Sequence, residues 1–156
     1  MVPRRGSTTL KPADFIEAGK YCACFSLRKA ARAVTTLYDD VLRPTGLRAT
    51  QFALLTIAHA LGSVTVTQLA EHAVIDRTTL TRNLRALERR GLVRVREGKD
   101  RRVREVQMTA RGQEAWTSAV PLWYEAQSRI TKGLGEKRLR ALVADLSATV
   151  AVAREG

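Results

Sequence analysis

The chain has 156 residues, with 27 Lys or Arg against 15 Asp or Glu and a formal net charge of +12. That length suits one domain with a sizeable core, and a charge of that sign in a chain without a lipidation motif implies a polyanionic partner, nucleic acid before a membrane surface. No apolar region follows Arg4 and Arg5, no stretch has the length of a membrane span, and the two cysteines, Cys22 and Cys24, exclude a disulfide framework, so a cytoplasmic protein with no membrane partner is expected.

Residues 1–12 are basic and polar without a period and read as a loose arm ahead of a single domain over residues 13–156. From about Ala13 to Leu42 the apolar positions Leu27, Ala30, Ala31, Val34, Leu37, Tyr38 and Val41 recur at helical spacing, and Pro44 with Gly46 ends that helix. Cys22 and Cys24 then fall on different sides of one helix, which makes them poor disulfide partners. A second helix, about Ala49 to Leu61, turns Phe52, Leu55 and Ala58 inward and stops at Gly62.

Thr65 and Gln68 have capping-box spacing, and Val64 with Leu69 has that of a hydrophobic staple, so a short helix follows through about His72. Only Ala73, Val74 and Ile75 separate it from Asp76, which is placed to cap the next helix. Two helices so tightly joined are a helix-turn-helix arrangement, although Val74 stands where a glycine is common.

In the helix after Asp76, Leu80, Leu84 and Leu87 form one apolar stripe, while Arg77, Thr78, Thr79, Thr81, Arg82 and Arg85 lie off it. Gly91 stops it, and Val93 and Val95 alternate with Arg94 and Arg96 before a charged turn at Gly98 to Arg101 and a second strand through Val106. From Asp76 to Val106 there are eleven Lys or Arg against five Asp or Glu, a surplus of six, half that of the whole chain. A helix of major-groove dimensions with short polar and cationic side chains, followed by a hairpin tipped by Lys99, Arg101 and Arg102, matches what duplex DNA offers: base edges to the helix, phosphates and the narrow groove to the hairpin. The fold class expected is mainly α with a small β-hairpin wing, a winged helix-turn-helix lobe over about residues 48–109.

Thr109 caps a further helix containing Trp116, Val120, Trp123 and Tyr124, with a kink expected near Pro121. After Gly133 and Gly135 a last helix lines up Leu139, Leu142, Val143, Leu146 and Val150. The terminal helices, about residues 13–43 and 110–156, carry more apolar surface than a winged-helix core needs, so they are expected to form a homodimer. Such a dimer presents two recognition helices about 34 Å apart to a pseudo-palindromic duplex.

The order of elements, and above all GLVRVREGKDRRVREVQMTARG, resembles the MarR family of dimeric bacterial winged-helix transcription regulators, from about residue 20 to the C-terminus. Asp100, Arg102 and Thr109 fall at that family's wing positions, and Thr81 and Leu87 to Leu92 fit its recognition-helix pattern. The resemblance implies that Arg102 enters the minor groove, that Asp100 pairs with a nearby arginine, and that the output is repression. The segment CFSLRKAARAVTTLY is similar to the first helix of the family's organic-hydroperoxide sensors, whose reactive cysteine falls at Cys24 and whose cysteine-bonding tyrosine falls at Tyr38. Two further tyrosines of that site correspond to Arg28 and Ala49 here.

Cys24 is therefore either a small packed residue or a redox sensor with Tyr38 and Arg28, answering a hydroperoxide. Phe52, Trp116 and Trp123 are either core or the lining of a pocket for a small lipophilic ligand, as in relatives that release DNA on binding phenolic or other lipophilic anions. His59 and His72 have no second ligand at metal spacing, so neither metal nor cofactor is expected, and no nucleophile, paired acids or phosphate-cradling glycine loop suggests an enzyme. A nonspecific architectural nucleic-acid-binding protein is the alternative that the charge alone allows.

Overall fold

The computed structural model describes residues 16, 19–98, 100 and 102–155. The expected arm at 1–12 and the wing residues Lys99 and Arg101 lie outside the described residues. The chain divides into two compact units, one up to Thr36 and one from Leu37 onward.

In the first unit the expected single helix from Ala13 is broken. Gly19 and Lys20 are helical, Tyr21 is a turn, and α1 (Ala23–Leu42) starts afresh. Cys22 stands before α1, and its Sγ accepts the N–H of Phe25 at 3.5 Å, the position of a cap. A side-chain acceptor there competes with a continuous helical ladder, and Gly19 is a weak helix former. Cys22 and Cys24 are thus not two positions on one helix.

The second unit opens where α1 passes Leu37. A 3-10 turn, Arg43–Thr45, carries Pro44 and closes on Gly46 at φ 68°. The next helix, α2 (Ala49–Leu61), receives its cap from outside: Asp39 Oδ1 accepts the Ala49 N–H at 2.7 Å, and Oδ2 pairs with Arg48 Nη1 at 3.0 Å. Strand β1 (Val64–Thr65) leads directly into α3 (Val66–Ala73), where the capping box forms as expected: the Gln68 N–H donates to Thr65 Oγ1, and the Thr65 N–H to Gln68 Oε1. Then come α4 (Arg77–Arg89), β2 (Val93–Glu97), β3 (Arg104–Met108), α5 (Ala110–Leu134) and α6 (Glu136–Arg154). The helix α5 runs as one element through Pro121, and the break before α6 is at Gly135 alone, Gly133 being helical.

Among the described residues the sheet has three antiparallel strands in the order β1-β3-β2, one more than the expected hairpin. Val64 stands opposite Val106, and Val95 stands opposite Val106 from the other side. Two residues are too few to announce a strand by alternation; β1 exists because β3 offers it a partner. Leu42, Leu54, Leu55, Leu69, Leu80, Leu87, Val64, Val93 and Val106 form one buried cluster that fixes α3 and α4 on the sheet.

The junction between sheet and α5 is tight. Thr109 donates its Oγ1 proton to the Gly91 carbonyl at 2.6 Å and accepts the Gly112 N–H at 2.9 Å, while its own N–H reaches the Leu92 carbonyl at 3.1 Å. Gly112 lies directly under that carbonyl: a Cβ there would stand 2.0 Å from Leu92 O and 2.8 Å from Met108 Cγ. Among the described residues no helix is long and apolar enough to cross a membrane.

Candidate nucleic-acid interface

The turn between α3 and α4 is closed without glycine. Val74 takes a left-handed conformation, φ 51° and ψ 47°, and the N–H groups of Val74 and Ile75 fall back on the last carbonyls of α3. That conformation costs a side chain about 1–2 kcal/mol. Asp76 then begins α4, its Oδ1 accepting the Thr79 N–H at 2.9 Å. That backbone hydrogen bond holds the Asp76 carboxyl below its ordinary value, so the cap carries a full negative charge at the positive end of the helix. At the other end the Leu92 N–H returns to Leu87 O and the Gly91 N–H to Glu88 O, with Gly91 at φ 68°, which is a Schellman closure.

Between these ends α4 lines a groove of about 900 Å³ with Arg77, Thr78, Thr81, Arg82, Arg85, Glu88 and Arg89, and the wing closes it with Val95 and Arg104. Of the predicted helix residues, Arg77, Thr78, Thr81, Arg82 and Arg85 are therefore brought together and exposed. Thr79 is not in this lining. It is half-buried, gives its N–H to Asp76, and its carbonyl accepts Asn83 Nδ2 at 2.9 Å. Helical spacing explains this, because Thr78, Thr81, Arg82 and Arg85 share one face and Thr79 sits off it.

Arg89 and Arg104 join the groove although sequence reasoning did not single them out. Arg89 follows Arg82 and Arg85 at helical spacing, a signal present in the chain; Arg104 is placed by strand pairing, which no local pattern announces. Arg90, equally basic, faces away and donates to the carbonyls of Gly46 at 2.8 Å and Thr45 at 3.2 Å.

At the wing, Gly98 N–H donates to Val103 O at 2.8 Å, Val103 N–H to Asp100 O at 2.8 Å, and Arg102 N–H to Asp100 Oδ1 at 2.9 Å. Asp100 thus acts on an arginine through the backbone, and the Arg102 side chain is left exposed at the tip.

The other candidates lie elsewhere. Cys24 is exposed in the first turn of α1, and Arg28, one turn on, is also exposed. Tyr38 donates its hydroxyl proton to Gln127 Oε1 of α5, and burial raises its phenol above the usual range. Phe52 is buried and stacks on Trp123 at 6.3 Å between centroids, while Trp116 donates Nε1–H to Thr56 Oγ1 at 3.0 Å and stacks on His59 at 4.1 Å. Both tryptophans pack against the core. Among the described residues no cluster of His, Cys, Asp or Glu could hold a metal ion.

A capped helix behind a tight helix-helix turn, a cationic groove along it and a hairpin beside it define a winged helix-turn-helix, the class of fold that sets a helix into the major groove of duplex DNA. Residues 47–103 match the model of the MarR family. The chain is 41% identical to the M. tuberculosis transcriptional regulator MosR in its complex with DNA, with a TM-score of 0.75 over 85% of this chain and 98% of that one. It superposes on the transcriptional repressor CouR bound to a 23-mer DNA duplex with a TM-score of 0.76 at 27% identity, covering 92% and 99% of the two chains. The uncharacterized HTH-type transcriptional regulator YwoH of Bacillus subtilis is 26% identical over 90 residues, 58% of this chain and 66% of that protein, so the match spans just under two thirds of that relative's length. The chain belongs to the MarR family and is a transcription regulator with a DNA-binding winged helix.

Proposed function

We propose that the protein binds a pseudo-palindromic duplex as a homodimer in the cytoplasm and represses transcription until a small molecule or an oxidant releases it. The observation that carries this reading is the single groove in which five arginines, Arg77, Arg82, Arg85, Arg89 and Arg104, meet Thr78 and Thr81 between the recognition helix and the wing. Threonine and arginine on one helix face supply hydrogen bonds to base edges, and the flanking cations neutralise phosphates.

Selection of bound sequences from a random duplex pool tests it: a sequence-specific dimer returns a palindrome, a nonspecific architectural protein returns no motif. On the selected site, Arg85→Ala, if Arg85 reads a base, costs about 1–3 kcal/mol and relaxes preference at one position. Arg102→Ala, by contrast, weakens all sequences and lowers the slope of log affinity against log salt by roughly one. Unchanged affinity and unchanged slope for Arg102→Ala would remove the wing from the interface.

Two-fold association is supported by exposed apolar side chains at both ends of the chain: Ile16, Tyr21, Phe25 and Val34 in the first unit, and Leu142, Val143, Leu146 and Val150 on α6 in the second. For release, the thiol of Cys24, in the first turn of α1 with Arg28 one turn on, is the candidate for the oxidant. A hydroperoxide would take the thiolate to a sulfenic acid and be reduced to its alcohol, placing a new polar group on α1. Titrating the DNA complex with an organic hydroperoxide should release wild type and Cys22→Ser, reversibly with a thiol, and leave Cys24→Ser bound. If wild type keeps its DNA while Cys24 is visibly oxidised, the effector is a small molecule instead.

A further inference from the structure

Among the described residues that line the groove there is one carboxylate. Glu88 lies in the last turn of α4, exposed, among Arg85, Arg89 and Arg104, where a negative charge repels phosphate and lowers affinity for any duplex. Its Oε1 accepts the backbone N–H of Val95 at 3.1 Å. Val95 is in β2, an edge strand, and this N–H is turned away from β3. The bond joins the recognition helix to the wing strand directly, side chain to main chain, across seven residues that include the Gly91 reversal.

We propose that Glu88 is a positioning residue for DNA recognition: it locks the wing to the recognition helix, so that major-groove and wing contacts are presented in one fixed geometry. The role rests on the DNA-binding reading of the groove. A carboxylate is a stronger acceptor than a neutral group and an edge N–H otherwise pairs only with water, so the bond narrows the angles at which β2 can leave the helix. Fixing that angle favours duplexes whose base edges and narrow groove are in the matching register, and it raises the ratio of specific to nonspecific affinity more than it raises affinity itself.

The test compares Glu88→Gln, which keeps an oxygen acceptor and removes the charge, with Glu88→Ala, which removes both. Affinities are measured for the tightest duplex recovered from the random pool and for a scrambled duplex of the same composition, and amide exchange of Val95 is followed in the free protein. Both variants should bind the scrambled duplex more tightly than wild type, because repulsion is gone. Glu88→Gln should keep the wild-type specific-to-nonspecific ratio and a protected Val95 amide. Glu88→Ala should lose about three- to tenfold of that ratio and expose the amide. An unchanged ratio in Glu88→Ala overturns the positioning role, and so does an equal loss in both variants, which would assign the effect to the charge. A wild type that selects no sequence while Val95 remains protected through Glu88 rejects the sequence-specific reading of the groove, and the role in recognition falls with it.

Discussion

Gly112→Ala should destabilise the fold by about 3 kcal/mol or more, at the upper end of what one added methyl group does in a packed interior. The added Cβ would sit 2.0 Å from the Leu92 carbonyl oxygen, a backbone atom that cannot rotate aside, and 2.8 Å from Met108 Cγ. Relief requires α5 to move off the sheet, which breaks the Thr109 bonds to Leu92 and Gly91 at the same junction. Urea unfolding measures the loss, and thermal unfolding should fall by roughly 10 °C. An unfolding free energy within about 1 kcal/mol of wild type would mean that the helix and the sheet do not approach so closely.

The double substitution Leu142→Glu with Leu146→Glu should convert the protein to monomers and reduce affinity for the selected palindrome about a hundredfold or more, because two half-site contacts joined in one molecule exceed either alone by at least that factor. Leu142 and Leu146 are 43% and 38% exposed, one turn apart on α6, with Val143 and Val150 beside them. An exposed position accepts glutamate without disturbing the core of its own chain, so helix content should persist while sedimentation shows the smaller species. A dimer of normal affinity would place the association surface elsewhere.

What the sequence announces is what neighbouring residues decide among themselves. Asp76 with Thr79, Thr65 with Gln68, the Leu80, Leu84 and Leu87 stripe, and Gly91 are all local devices, and each appears where its spacing puts it. The face formed by Thr78, Thr81, Arg82 and Arg85 was legible for the same reason. The rest depends on partners distant in the chain or on details of the backbone. Strand β1 needs Val106, more than forty positions on; the wing places Arg104; Arg90 is diverted to the carbonyls of Thr45 and Gly46. Asp39 caps α2 from ten residues away, and Gly112 matters only because Leu92 passes over it. The break at Tyr21 and Cys22 escaped because a cysteine in a cap position leaves no clear pattern.

A three-stranded sheet has two free edges, and an unpaired edge is a template on which a second chain can grow a strand. Here neither edge is an effective template. Strand β1 has two residues, too short to seed pairing. Strand β2 carries exposed Arg94 and Arg96, and the amide between them, that of Val95, is already occupied by Glu88. Like charges on the incoming strand would repel, and one of the few donors it would need is taken. The same features that shape the groove therefore protect the molecule from edge-to-edge aggregation, so that a loss of the Val95 bond should show first in concentrated solution as slow sheet-rich association.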